Sequence, residues 1–168
     1  MTKILHWLIF SLFLGQYATV LIKKYLLSAD DPLKTILIKD WHKPMGTVLL
    51  VLGILSLIWH NVNIKPTWPK MQAWEQVLAR LTHLGLFTLM IVFPATGFFM
   101  SAYAGYPVSF FGLFNIDLGL DLNKNLAGQL FGWHETCGYA TLVVVGLHIA
   151  GALKHHFVYK DKVLKRMI

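Results

Sequence analysis

Residues 130–156, LFGWHETCGYATLVVVGLHIAGALKHH, decide how this chain is read. The stretch is apolar and long enough to cross a hydrocarbon layer about 30 Å thick. His134 stands near its start, and His148 follows fourteen residues later. At about 100° per residue, that separation brings the second side chain back to within roughly 40° of the first. At about 1.5 Å per residue, the two rings lie roughly 21 Å apart along the axis. One helix therefore carries two imidazoles on one face, one near each edge of the apolar layer. Imidazole inside a bilayer is costly and is kept there for function. The spacing points to two metal centres, one per leaflet.

The rest of the composition agrees with a membrane setting. Of 168 residues, 56% are hydrophobic and only 14% charged, and the mean hydropathy is +0.57. A water-soluble domain carries about a quarter charged residues. Lys and Arg number 15 against 8 Asp and Glu, a balance that elsewhere suggests nucleic acid. Here most basic residues lie just outside apolar segments, where orientation signals belong, so nucleic acid is excluded as a partner. The single Cys137 excludes an internal disulfide and any Cys-built zinc or iron–sulfur site; it reads as a small helix-packing residue.

Working outward, three more spans precede the quoted one, giving approximate limits of 5–26, 41–60, 81–103 and 130–153 in a single domain of residues 1–168. The first is too long for a typical signal-peptide core and lacks an A-x-A site, so it is read as a retained helix. Asp30-Asp31-Pro32 marks a turn in the polar connection at 23–41. Pro44 suits a first helical turn, and Pro94 with Gly97 predicts a bend in the third span. A loop at 60–80 carries Lys65, Lys70, Arg80, Pro66 and Pro69. The 104–129 loop, with Tyr106, Phe110, Phe111 and Phe114, suits a short amphipathic helix on the membrane surface. Four spans place both termini on one side. That side collects Lys3, the 60–80 cations and the tail Lys154, Lys160, Lys162, Lys165 and Arg166. The excess predicts cytoplasmic termini. Trp7, Trp41, Trp59 and Trp133 fall at span ends, as an aromatic belt does.

Depth sorts the histidines. His42 and His134 open spans on the outer side, whereas His6, His83 and His148 lie on the inner side. His60, His155 and His156 read as interfacial loop or tail residues. Zinc and di-iron sites add thiolates or carboxylates, and Glu135 is the one acid clearly within a predicted span. Haem is held by axial His and packs between the helices of a four-helix bundle. The inventory thus predicts an all-α, integral-membrane four-helix bundle enclosing two b-type haems. The outer pair is His42 with His134; the inner pair is drawn from His6, His83 and His148. Gly15, Gly46, Gly53, Gly138, Gly146 and Gly151 give room for a flat macrocycle or for close helix packing.

The motifs that carry these histidines are L-H-W (His6), the His after the first polar loop (His42), H-L-G with a proline eleven residues on (His83, Pro94), W-H-E-T (His134), G-L-H (His148) and H-H-x-x-x-K-D (His155, His156, Lys160, Asp161). Together they resemble the bacterial cytochrome b561 family of di-haem membrane proteins. They are also similar to the cytochrome b subunits of formate dehydrogenases and nickel-iron hydrogenases. The resemblance implies His6 with His148 and His42 with His134 as axial haem-iron ligands. It also implies a superoxide:quinone oxidoreductase of the bacterial inner membrane, with ubiquinone as acceptor. The 104–132 loop departs from the family's pattern, so the outer substrate entrance is the part least covered by it.

Two roles compete: an oxidoreductase working alone, and a haem-bearing membrane anchor and electron wire for a partner dehydrogenase or hydrogenase. For the first, Lys39 and Lys43 would steer an anion on the outer face. His83, with Arg80 nearby, would meet a quinone or a haem propionate on the inner face. Glu135 would hydrogen-bond a neighbouring His, or serve only as a helix N-terminal acid. A structural protein without cofactor is the remaining alternative.

Overall fold

The computed structural model of the chain describes residues 2–63, 71–161 and 163–166. Lys65, Pro66, Pro69, Lys70 and Lys162 lie outside those residues. Four helices long and apolar enough to cross a membrane account for most of the rest: 3–26, 33–62, 73–103 and 124–159. Their regular cores are α1 (Thr2–Leu21), α3 (Lys43–Val62), α4 (Ala73–Tyr103) and α5 (Lys124–Lys154). A four-residue helix, α2 (Leu33–Ile36), precedes α3. The four-helix membrane architecture expected from the sequence is the one found.

The helices are longer than the apolar runs alone suggested. A π-helical turn, Leu37–His42, joins α2 to α3 without a break, so most of the expected polar connection is helical. Before it, a π turn at Ile22–Leu26 extends α1. Asp31 Oδ1 accepts from Leu33 N at 2.9 Å, the turn that Asp-Asp-Pro announced. Helix α4 starts at Ala73, not near Arg80. Glu75 Oε2 accepts from Gln72 N at 3.1 Å while the Gln72 side chain caps the backbone three residues on. This capping box is a local signal in Gln72-Ala73-Trp74-Glu75 that an apolar-run reading passes over. Helix α5 starts at Lys124, six residues early, where Asn123 accepts from Leu126 N at 3.0 Å.

The 104–129 loop is corrected more substantially. It contains no surface helix; it forms a hairpin of β1 (Val108–Phe110) against β2 (Phe114–Ile116), with Phe110 opposite Phe114. Phe111 and Gly112 both have positive φ, 50° and 75°, as a tight primed turn requires. Phe110 and Phe114 stack at 5.1 Å across the strands. Phe-Phe-Gly-Leu was therefore a turn signal between aromatic strands, not an amphipathic face.

Helix α4 packs against both α3 and α5, and α1 packs against α3. Pro94 removes the N–H that would reach the Met90 carbonyl. Helix α3 approaches that place through Gly53, where a Cβ would stand 3.0 Å from Met90 O. Helices α1 and α5 meet through long side chains: the Tyr17 hydroxyl donates to Gly138 O at 2.6 Å. At the end that holds His6 and His148, Glu75 Oε1 ties α4 to the end of α5. It accepts from Lys154 Nζ at 2.6 Å and from the Tyr159 hydroxyl at 2.7 Å. Past α5 a π turn, His155–Tyr159, ends on Lys160 at φ 50°, and the His155 ring meets Asp161 at 2.6 Å.

Candidate functional site

Helix direction alternates along the chain, so residues distant in sequence meet at the same end. At one end His42, leading into α3, faces His134, ten residues into α5. Their ring centroids are 6.2 Å apart and their planes 81° apart. At the other end His6, in the first turns of α1, faces His148 at the same 6.2 Å, with planes 53° apart. His83 on α4 also reaches this end, and its centroid is 5.3 Å from that of His148. The periodicity of α5 thus delivers both of its histidines to the inside of the bundle, as their spacing predicts.

The His42–His134 end is held by hydrogen bonds. The Thr19 hydroxyl donates to Gln16 O at 2.7 Å, and its oxygen lies 3.0 Å from His42 Nδ1. A hydroxyl has one hydrogen, and a carbonyl can only accept. With the Thr19 hydrogen on Gln16 O, Nδ1 of His42 carries the proton in this contact, which leaves the Nε2 lone pair available. Gln16 Nε2 donates to His42 O at 2.9 Å, so α1 grips this residue by ring and backbone. Gln16 itself is buried, and among the described residues its Oε1 has no hydrogen-bond partner.

His134 repeats the device from α4. The Thr96 hydroxyl donates to Phe93 O at 2.7 Å. His134 Nδ1 lies 3.0 Å from that carbonyl and 3.2 Å from the Thr96 oxygen. Here too Nδ1 is the donor and Nε2 is left with a lone pair. The ring packs against Phe93, centroid to centroid 4.6 Å. It also rests on Gly97, where a Cβ would come within 2.8 Å of Cε1.

The other end differs. Among the described residues, neither the His6 nor the His148 ring has a hydrogen bond; their ring contacts are aromatic, His6 with Trp7 at 5.4 Å and His148 with His6 and His83. His83 is exposed, and its Nδ1 donates to Ala79 O at 2.7 Å. Arg80 lies one turn before it on the same helix.

The remaining candidates fall at the periphery. Lys43 is part-buried, with Nζ over the Tyr106 ring at 5.5 Å, while Lys39 is exposed on the preceding π turn. Glu135 is exposed on α5, and the His134 ring nitrogen is bonded to Phe93 and Thr96 instead. A cavity of about 320 Å³ lies beside the hairpin, lined in part by Phe98, Ala102, Tyr106, Asp117 and Leu120. Thr19 and Thr96 were missed by the sequence reading. Their one local signal is a Thr three residues after a carbonyl it can back-bond, and that pattern is common to any helix. Among the described residues, no three His, Cys, Asp or Glu side chains gather as a metal site.

Comparison with known proteins is decisive for the family. The profile described as prokaryotic cytochrome b561 matches residues 1–168. The chain belongs to the prokaryotic cytochrome b561 family. Cytochrome b561 homolog 2 of Escherichia coli K12 is 30% identical over 133 residues, 77% of this chain and 69% of the relative. Cytochrome b561 homolog 1 of the same organism is 27% identical over 165 residues, 98% of this chain and 92% of the relative. A probable superoxide oxidase, CybB, of Yersinia pestis is 28% identical over 165 residues, 98% of this chain and 91% of the relative. This member of the cytochrome b561 family is thus a membrane electron-transfer protein of oxidoreductase type, and its cofactor class is b-type haem.

Proposed function

We propose that the chain binds two b-type haems, one held by His42 and His134 and one by His6 and His148. It would pass electrons across the bacterial inner membrane from superoxide on the outer face to ubiquinone on the inner face. The observation that carries the reading is the matched spacing of the two pairs. With iron–nitrogen bonds of about 2 Å, an iron between two imidazoles sets the ring centres about 6 Å apart. Both pairs stand at 6.2 Å. The His83–His148 separation of 5.3 Å is shorter than that geometry takes, so His83 is read as a neighbour of the centre, not as its ligand. The available Nε2 lone pairs of His42 and His134 are the donors a haem iron takes. When bound, haem supplies one-electron transfer at its iron.

Around that chemistry the chain's own residues bind, steer and supply protons. Lys39 and Lys43 bring positive charge to the His42–His134 end, which favours the approach of an anion. His83 and Arg80 offer hydrogen-bond donors at the other end, where a quinone gaining electrons must also gain protons. The overall reaction consumes two superoxide anions, one quinone and two protons, and yields two dioxygen and one quinol. The name of the Yersinia relative, a probable superoxide oxidase, supports the superoxide half. The cation-rich tail supports cytoplasmic termini.

The test begins with haem content. Pyridine haemochrome assay of the purified protein is expected to give two haems per chain. His42→Ala and His6→Ala should each remove a different one. Superoxide supplied to the protein in quinone-loaded vesicles should then yield quinol. One haem per wild-type chain would overturn the two-centre reading. Two haems without superoxide consumption, together with reduction by a partner dehydrogenase, would favour the membrane-anchor role.

A further inference from the structure

The two ends of the bundle treat their histidines differently. His42 Nδ1 has a hydroxyl acceptor on α1, and His134 Nδ1 has a carbonyl and a hydroxyl on α4. In both cases a Thr spends its own hydrogen on the carbonyl three residues earlier, Gln16 O or Phe93 O. Its oxygen can then only accept from the ring. The same side-chain device appears on two helices and is aimed at the two members of one pair. His6 and His148 have no counterpart among the described residues.

From this we infer that Thr19 and Thr96 are positioning residues. They hold His42 and His134 as Nδ1–H tautomers with Nε2 toward the metal, and they hold down the reduction potential of that centre alone. The inference rests on the reading that His42 and His134 ligate haem. An acceptor on Nδ1–H makes imidazole a stronger donor at Nε2. Stronger donation favours the oxidised iron, so the potential falls. A lowered potential at the His42–His134 end favours electron flow toward the His6–His148 end. The two tethers are not equal. His134 keeps the Phe93 carbonyl at 3.0 Å when Thr96 is removed, whereas His42 has Thr19 as its ring acceptor. Thr19 therefore carries the larger effect.

The experiment is redox titration of the haem-loaded protein, with each wave assigned by its loss in His42→Ala or His6→Ala, and electron paramagnetic resonance of the oxidised protein. Thr19→Val should raise the midpoint of the wave that His42→Ala removes and shift the resonance signal of that haem. The other wave should stay in place. Thr96→Val should shift the same wave less. Thr19→Ser keeps the hydroxyl and should restore the wild-type value. Loss of that haem from Thr19→Val but not from Thr19→Ser would also support the tether. Unmoved waves and signals in Thr19→Val, equal shifts of both waves, or Thr19→Ser behaving as Thr19→Val would overturn it. Both haems persisting in His42→Ala would overturn the ligand reading instead.

Discussion

Gly97→Ala places one methyl group against the ring of His134. The added Cβ would lie 2.8 Å from Cε1, 3.0 Å from Nδ1 and 3.5 Å from Nε2. Favourable carbon–carbon contact begins near about 3.5 Å, so the ring must retreat by about 0.7 Å. It is hemmed in on another side by Phe93, at 4.6 Å between centroids, and its Nδ1 is tied to Phe93 O at 3.0 Å. A retreat of that size takes the hydrogen bond out of its normal range. Overpacking of this kind costs about 1–3 kcal/mol, which at about 1.4 kcal/mol per tenfold weakens haem binding at that end by roughly 5- to 150-fold. The helix itself does not suffer, because Ala is the better helix former by up to about 1 kcal/mol. The loss should therefore be local. On the proposed two-haem reading, haem titration into the apoprotein, followed in the Soret band, should show one weakened site and one unchanged site. Gly132→Ala is the control: it is two residues from His134, and a Cβ there meets nothing within 4 Å. Wild-type affinity and spectra at both sites in Gly97→Ala would refute the packing argument.

Two further outcomes follow from the opposite end. On the proposed two-haem reading, His83→Ala should keep both haems, because the His83–His148 spacing of 5.3 Å is too short for a shared iron, while the proposed quinone reduction slows; loss of the haem assigned to His6 and His148 would make His83 the ligand. Glu75→Gln keeps a side chain able to close the capping box but removes the charge that Lys154 and Tyr159 address at 2.6 and 2.7 Å. Amide hydrogens of residues 155–161 should exchange faster in that variant while haem spectra stay unchanged, and unaltered exchange would show that the clamp does not hold this segment.

How far the primary structure reaches can be seen residue by residue. The depths of His6, His42, His134 and His148 follow from residue counts along apolar runs, because an α-helix converts sequence separation into height and rotation at fixed rates. That arithmetic puts His134 and His148 on one face of α5 and sorts the histidines into two ends. Two other features were local but were passed over: the Gln72–Glu75 capping box and the Phe111-Gly112 turn, both overshadowed by the hydrophobic pattern around them.

What the arithmetic does not contain is how each helix is rotated about its axis and which helix stands beside it. Those choices depend on packing, such as α3 approaching Met90 O through Gly53 and the Tyr17 hydroxyl bridging to Gly138 O. Only the folded bundle brings Thr19 to His42 and Phe93 O and Thr96 to His134, across sequence separations of 23 to 41 residues. The same packing sets Gly97 beneath the His134 ring and brings His83 as well as His6 to His148. Periodicity acts along one helix, so residue position along each span set the heights of His6, His42, His134 and His148. The acceptor each ring nitrogen meets is a contact between helices, and tertiary packing alone decided it.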